Sequence, residues 1–187
     1  MTAHSTTEYV TTIETPIGEL LLTSNGTALT GLFLHGPKPA AARNGDCGRS
    51  DKVLAAAREE LTAYCDGTLQ TFNVPLAPQG TPFQQRVWQA LLDIPFGETE
   101  SYGQLARRIG APNAARAVGM ANGKNPIAII IPCHRVIGTS GALVGYGGGL
   151  PRKRWLLDHE ARCCATERGG SVMTAAGATL VGSGRLF

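Results

Sequence analysis

The sequence predicts two units, a small α/β unit over residues 1–80 and a mainly helical unit with a helix-turn-helix over residues 81–165, and then a mobile tail over 166–187. Three observations carry this expectation. The first unit alternates β-branched runs with tight-turn residues. Ala77-Pro78-Gln79-Gly80 has the composition of a linker. Beyond it, two helix-opening signatures follow each other closely, each with a hydroxyl residue three positions before a glutamine.

Tyr9–Thr15 is rich in β-branched residues and predicts a strand, closed by the turn Pro16-Ile17-Gly18. Glu19–Ser24 is the second strand, Asn25-Gly26 supplies a hairpin turn, and Thr27–Leu34 is the third. Residues 36–50, with their Ala, Pro and Gly, predict a loop. Asp51–Cys65 places Val53, Leu54, Ala57, Leu61 and Tyr64 at helical spacing, and Gly67 can end that helix. Thr71–Leu76 reads as one more short strand.

In the second unit, Thr81-Pro82-Phe83-Gln84 combines an N-cap threonine, a proline at the first helical position and a reciprocal glutamine. The helix puts Phe83, Val87, Leu91 and Ile94 on one face and stops before Pro95. Ser101-Tyr102-Gly103-Gln104 opens a second, short helix closed by Gly110. A third runs from Ala114 to Ala121, ended by Asn122-Gly123. Two short helices joined by a tight glycine-containing turn form a helix-turn-helix pattern. Ile127–Ile131, bracketed by Pro126 and Pro132, predicts a buried strand. A glycine-rich loop over 138–149 and a helix from about Pro151 to Arg162 complete the unit.

Composition excludes several classes. With 43% hydrophobic and 17% charged residues the chain can bury a core. No apolar run approaches the roughly 20 residues of a membrane helix. The start MTAHSTTEY has neither a basic nor an apolar leader segment. Five cysteines without a CxxC pair give little support to a disulfide scaffold or a zinc ribbon. The expectation is a cytoplasmic protein with reduced thiols and no membrane association. Residues 1–80 carry a net charge of -3 and residues 81–160 a net of +4. That asymmetry fits a second half facing a polyanion, and it equally fits ordinary surface variation.

The stretch Ile131-Pro132-Cys133-His134-Arg135-Val136 sets a thiol where a rigid apolar run meets a turn. A thiol of ordinary pKa, about 8.5, needs a base or a positive field to act as a nucleophile. His134 and Arg135 are neighbours in sequence and offer both. On the residues alone the alternative also stands, a buried cysteine followed by an exposed basic pair.

This stretch resembles the active-site motif of the O6-alkylguanine-DNA alkyltransferases, also called methylated-DNA–protein-cysteine methyltransferases. Other landmarks of that family recur in order. They are Gly97-Glu98-Thr99 with Ser101-Tyr102-Gly103-Gln104-Leu105-Ala106, then Ala114-Ala115-Arg116-Ala117-Val118-Gly119, Asn125-Pro126, Gly145-Tyr146 with Gly148-Gly149, and Leu156-Leu157-Asp158-His159-Glu160. The resemblance spans about Tyr9 to Glu160 and is closest after Thr81.

The resemblance implies a ribonuclease-H-like N-terminal domain and a winged-helix-like C-terminal domain holding both active site and DNA contact. It implies DNA repair by direct, single-turnover transfer of the alkyl group of O6-alkylguanine, and of O4-alkylthymine, to a cysteine. Cys133 would be the acceptor, His134 the base acting through water, Glu160 its orienting carboxylate, Tyr102 a donor to the leaving base and Asn125 a brace of the turn. Tyr146, Gly147, Gly148 and Val136 would line the substrate pocket. Arg116, with the small residues Ala115 and Gly119 and with Tyr102, would meet the minor groove of double-stranded DNA independently of sequence, Arg116 filling the gap left by a flipped nucleotide. Arg152, Lys153 and Arg154 read either as phosphate contacts or as a solvated basic run. The partner expected is damaged DNA, bound by a monomer.

Departures are as informative. Cys47, Cys65 and His35 are poor counterparts of the zinc ligands of some animal relatives, so neither metal nor cofactor is expected. Gly147 stands where some relatives have a pocket serine. A binding-only relative would lack the acceptor cysteine, and Cys133 is present. A Cys-His hydrolase would require an oxyanion hole and would leave the small-residue helix around Arg116 without a purpose.

Overall fold

The structure, a computed structural model of the 187-residue chain, describes residues 9–34, 46–47 and 51–174. Strands β1 (Tyr9–Ile13), β2 (Leu20–Ser24) and β3 (Leu29–Leu34) form an antiparallel meander, and β4 (Asp46–Cys47) adds to β1 in parallel, giving the order β3-β2-β1-β4. The second hairpin turns at Asn25, whose Oδ1 accepts the amides of Thr27 and Ala28, while Gly26 takes φ +89°. Period-2 alternation sends Leu20, Leu22, Leu32 and Leu34 into the core under helix α1 (Lys52–Cys65). Asp51 caps that helix by accepting from the Val53 amide at 2.9 Å.

Thr71–Leu76 is not a strand. Glu60 Oε2 takes the amides of Asn73 and Val74, so those donors go to a side chain, and a single parallel bridge links Leu76 to Leu29. Of the predicted loop, residues 46–47 form β4 and the remainder lies outside the described residues.

The helical unit has α2 (Pro82–Leu92), α3 (Tyr102–Arg108), α4 (Ala115–Gly123) and α5 (Leu150–Thr174). Both expected capping boxes form, at Thr81/Gln84 and at Ser101/Gln104. Trp88 of α2 donates its indole N–H to the Ala121 carbonyl of α4 at 2.9 Å. Arg108 of α3 binds Asp93 and Glu100 at 3.0 and 2.7 Å, closing the base of the helix pair. Short strands β5 (Glu100–Ser101) and β6 (Val136–Ile137) pair in parallel.

Two further expectations change. Ile127–Ile131 is buried as predicted but is no strand: Ile127 bridges Leu32 of β3 once, and the chain then coils, with Ile131 N–H donating to Ile127 O at 3.0 Å and Ile129 at φ +70°. Its apolar character reflects a position where the cores of both units meet, and periodicity does not separate a buried strand from a buried turn. Helix α5 runs past Arg162 to Thr174, so residues 166–174 of the expected mobile tail are helical; no proline follows Pro151 to stop the helix, and it continues through Gly169-Gly170. Residues 175–187 of the expected tail lie outside the described residues.

Candidate active site

Pro132 ends the buried coil, and Cys133–Arg135 forms one turn of 3₁₀ helix before β6. Two asparagines from the end of α4 fix this turn. Asn125 donates from Nδ2 to Ile131 O at 2.8 Å while its Oδ1 accepts the Ile127 amide at 3.0 Å. Asn122 donates from Nδ2 to Cys133 O at 3.3 Å. The coil between them makes turn bonds of its own, Ile130 N–H to Ala128 O at 2.9 Å and Cys133 N–H to Ile131 O at 2.8 Å, and the two side-chain amides tie it to the end of α4.

Around His134 the site is closed. His134 and Glu160 are both 0% exposed, and His134 Nε2 lies 2.8 Å from Glu160 Oε1. Five donors converge on this carboxylate: His134 Nε2, the Tyr64 hydroxyl, Arg135 Nε and Nη2, and the Gly97 amide. Burial pushes the Glu160 carboxyl up, but the bonds and charges of His134 and Arg135 outweigh it and hold the group at about 2. An ionised carboxylate only accepts, so His134 carries its proton on Nε2 and keeps a lone pair on Nδ1. That Nδ1 is buried and has no protein partner. Burial lowers the His134 pKa against the pull of Glu160, so the ring rests neutral.

Cys133 is buried and sits in the wall of a cavity of about 460 Å³ between the two units. Asn122, Asn125, Tyr146 and Gly148 line one side, and Leu21 and Phe33 of the sheet line the other. Burial raises the thiol pKa, countered by Asn125, by the Lys153 charge and by backbone amides. Cys133 therefore rests as a thiol. The amine of Lys153, on a side chain that is 0% exposed, donates to the carbonyls of Val136, Val144 and Gly145 at 2.6, 2.8 and 3.4 Å.

The predicted residues divide into groups. Cys133, Asn125, Tyr146, Gly147 and Gly148 line the cavity, with His134 and Glu160 directly behind the thiol's turn. The Tyr146 hydroxyl is buried without a protein partner. A Cβ on Gly148 would stand 3.0 Å from Leu34 and from the Tyr146 ring, so this glycine permits the close approach. Val136 is buried and meets Lys153 through its carbonyl, outside the cavity lining. Tyr102 donates to Val144 O at 3.3 Å and stands over Gly119. Arg116 is exposed on α4, with Ala115 and Gly119 half-buried beside it.

The basic run divides too. Arg154 is exposed, Arg152 binds Ile17 O and Gly148 O, and Lys153 is wholly internal, so Lys153 is neither a phosphate contact nor a solvated charge. Sequence reading gave Asn122 no part beyond ending its helix, took Tyr64 for a core residue alone, and read Arg135 as a field for the thiol and Lys153 as a phosphate contact or a solvated charge. The helical period offered one signal, since Lys153, Leu156 and Glu160 share a face of α5. Among the described residues no group of three or more His, Cys, Asp or Glu is placed to hold a metal ion, and no helix is long and apolar enough to cross a membrane.

Comparison with known proteins identifies the family of the chain. Residues 82–162 match the family profile described as 6-O-methylguanine DNA methyltransferase, DNA binding domain, and residues 9–78 match its ribonuclease-like domain. A methylated-DNA–protein-cysteine methyltransferase of Mycobacterium tuberculosis is 55% identical over 149 residues, covering 80% of this chain and 90% of its own. One of Methanosarcina acetivorans is 46% identical over 156 residues, covering 83% and 99%. A crystal structure of Mycobacterium tuberculosis OGT in complex with DNA is 52% identical with a TM-score of 0.76, covering 83% of this chain and 94% of that one.

Proposed function

This chain belongs to the 6-O-methylguanine DNA methyltransferase family, which repairs DNA by moving an alkyl group from methylated DNA to a protein cysteine, and from that membership we propose how its own residues carry the transfer. Cys133 is the acceptor. His134 Nδ1 takes the thiol proton through one bridging water, and Glu160 holds the ring in the tautomer that leaves Nδ1 free. The observation that carries this reading is the 2.8 Å bond from His134 Nε2 to Glu160 with Nδ1 left without a protein partner, on the residue that follows Cys133 in the same turn.

The thiolate attacks the alkyl carbon, the S–C bond forms and the C–O6 bond breaks. The electron pair passes into guanine, which collects a proton, and Tyr102 donates toward the base as that charge develops. Glu160 stays ionised 2.8 Å from His134 Nε2, so a proton arriving on His134 meets a fixed negative group. The thioether has no route back, and each molecule acts once. O4-alkylthymine offers the same alkyl–oxygen bond and fits the same chemistry.

A target inside a duplex must leave the stack, at a cost of a few kcal/mol that a poorly paired lesion reduces. Arg116 fills the vacated position. Ala115 and Gly119 let α4 approach the minor groove closely, and Tyr146 with Gly147 and Gly148 receives the extruded base. Nothing in this arrangement reads sequence, and one copy of the chain contains all the parts.

Replacement Cys133→Ser tests the assignment. Transfer should be abolished while binding to an O6-methylguanine duplex remains within about threefold of the parent protein. Loss of binding along with transfer would make Cys133 a structural residue.

A further inference from the structure

Glu160 receives one bond that the helical unit does not supply. Tyr64, near the end of α1 in the N-terminal unit, donates its hydroxyl to Glu160 Oε1 at 2.9 Å. The same oxygen accepts from His134 Nε2 at 2.8 Å and from Arg135 Nη2 at 3.0 Å. The Tyr64 ring is fully buried and packed against Phe72, Phe96 and His159, with centroids 5.4, 6.0 and 5.3 Å away. Phenylalanine would fill that space equally well. A buried hydroxyl is costly without a partner, so the tyrosine is explained by the carboxylate it meets. Burial, followed by the nearby Glu160, pushes the Tyr64 pKa well up, so the group stays a donor throughout the working range.

We propose that Tyr64 is a positioning residue for alkyl transfer, its hydroxyl holding Glu160 Oε1 in the bond to His134 and sharing that oxygen's charge, so that the N-terminal unit completes the base of the reaction. The proposal rests on the reading of His134 as that base. A carboxylate oxygen has about two lone pairs, and every extra donor weakens its hold on the others. With the Tyr64 hydroxyl present, Glu160 orients the imidazole without pulling it toward the imidazolium form, which would be useless as a base. The other titratable or charged groups facing this cluster are Arg135, Cys133, Lys153, His159 and Tyr146, all of which the variant keeps.

The test uses full-length Tyr64→Phe with two readouts, the pH profile of single-turnover transfer from an O6-methylguanine duplex and the NMR titration of the His134 ring. Freed of one donor, Glu160 should favour imidazolium, moving the His134 midpoint and the acid limb of transfer to higher pH by about half a unit or more. A fluorinated tyrosine at position 64, a stronger donor, should move both the other way and serves if the phenylalanine variant folds poorly. Coincident midpoints in variant and parent, including a His134 that stays neutral to the acid limit of folding in both, overturn the proposal whatever happens to the rate. If the parent protein transfers nothing, the functional reading fails, and the NMR titration still decides the role of Tyr64.

Discussion

Arg135 lies across the carboxylate of Glu160, with Nε 3.0 Å from Oε2 and Nη2 3.0 Å from Oε1, while its Nη1 reaches Ile94 O at 2.6 Å. The cation of the motif is thus buried, spent on Glu160 and the Ile94 carbonyl. It compensates a buried charge, and Phe96 covers the guanidinium with its ring centroid 5.6 Å away.

Acid sensitivity follows from this pairing. Glu160 is held at about 2 against an ordinary 4.5, and His134 below its ordinary 6.5. Both folded values are depressed, so both contributions are complete above the unfolded values and disappear as pH falls through the folded ones. Denaturant unfolding should show stability level above about pH 6.5, a first decline below it from His134, and a further loss of about 3 kcal/mol between about pH 4.5 and 2 from Glu160.

Replacement Glu160→Gln should remove the lower part of that decline. It leaves Arg135 buried opposite a neutral amide, so stability at pH 7 should fall by about 3–5 kcal/mol in the same unfolding assay. Transfer should slow by at least tenfold even where the variant is fully folded, because an amide can present NH2 as well as oxygen to His134, leaving the tautomer unfixed and the imidazolium without its counter-charge.

Lys153 should behave as a structural cation. Lys153→Met leaves the carbonyls of Val136, Val144 and Gly145 without their donor and should cost about 2–4 kcal/mol, read by thermal or chemical unfolding. Hydrogen exchange in residues 138–149 should rise with it. Arg154→Met, at an exposed neighbouring position, should change stability by no more than about 0.5 kcal/mol.

Substitution at Arg116 tests whether DNA handling is separable from the chemistry. Arg116→Ala should leave stability within about 0.5 kcal/mol, since the side chain is exposed on α4. Transfer from duplex O6-methylguanine should fall by about tenfold or more, while reaction with free O6-benzylguanine stays within about twofold. Equal losses on both substrates would remove its proposed role in extruding the nucleotide.

The helical unit was largely legible because its punctuation is local: Thr81, Gln84, Ser101 and Gln104 form their caps from residues three apart. Glu160 was legible through its inward face on α5, and Lys153 shares that face, yet a basic triplet suggests solvent until its carbonyl partners are seen. Tyr64 could not be found, since its position on an apolar helix face explains it fully until Glu160, far along the chain, arrives at its hydroxyl. Ile127–Ile131 misled for a related reason. Burial from both sides makes any backbone conformation apolar, and Asn125 joins the two ends of this coil, accepting the Ile127 amide and donating to Ile131 O, beside the turn bonds within it.

Mass spectrometry of the protein after exposure to excess O6-methylguanine duplex is the decisive measurement. One methyl group on the peptide containing Cys133, reaching one per molecule and never exceeding it, is the expected result. An unmodified Cys133 peptide, or more than one guanine repaired per protein molecule, would contradict irreversible transfer to this sulfur.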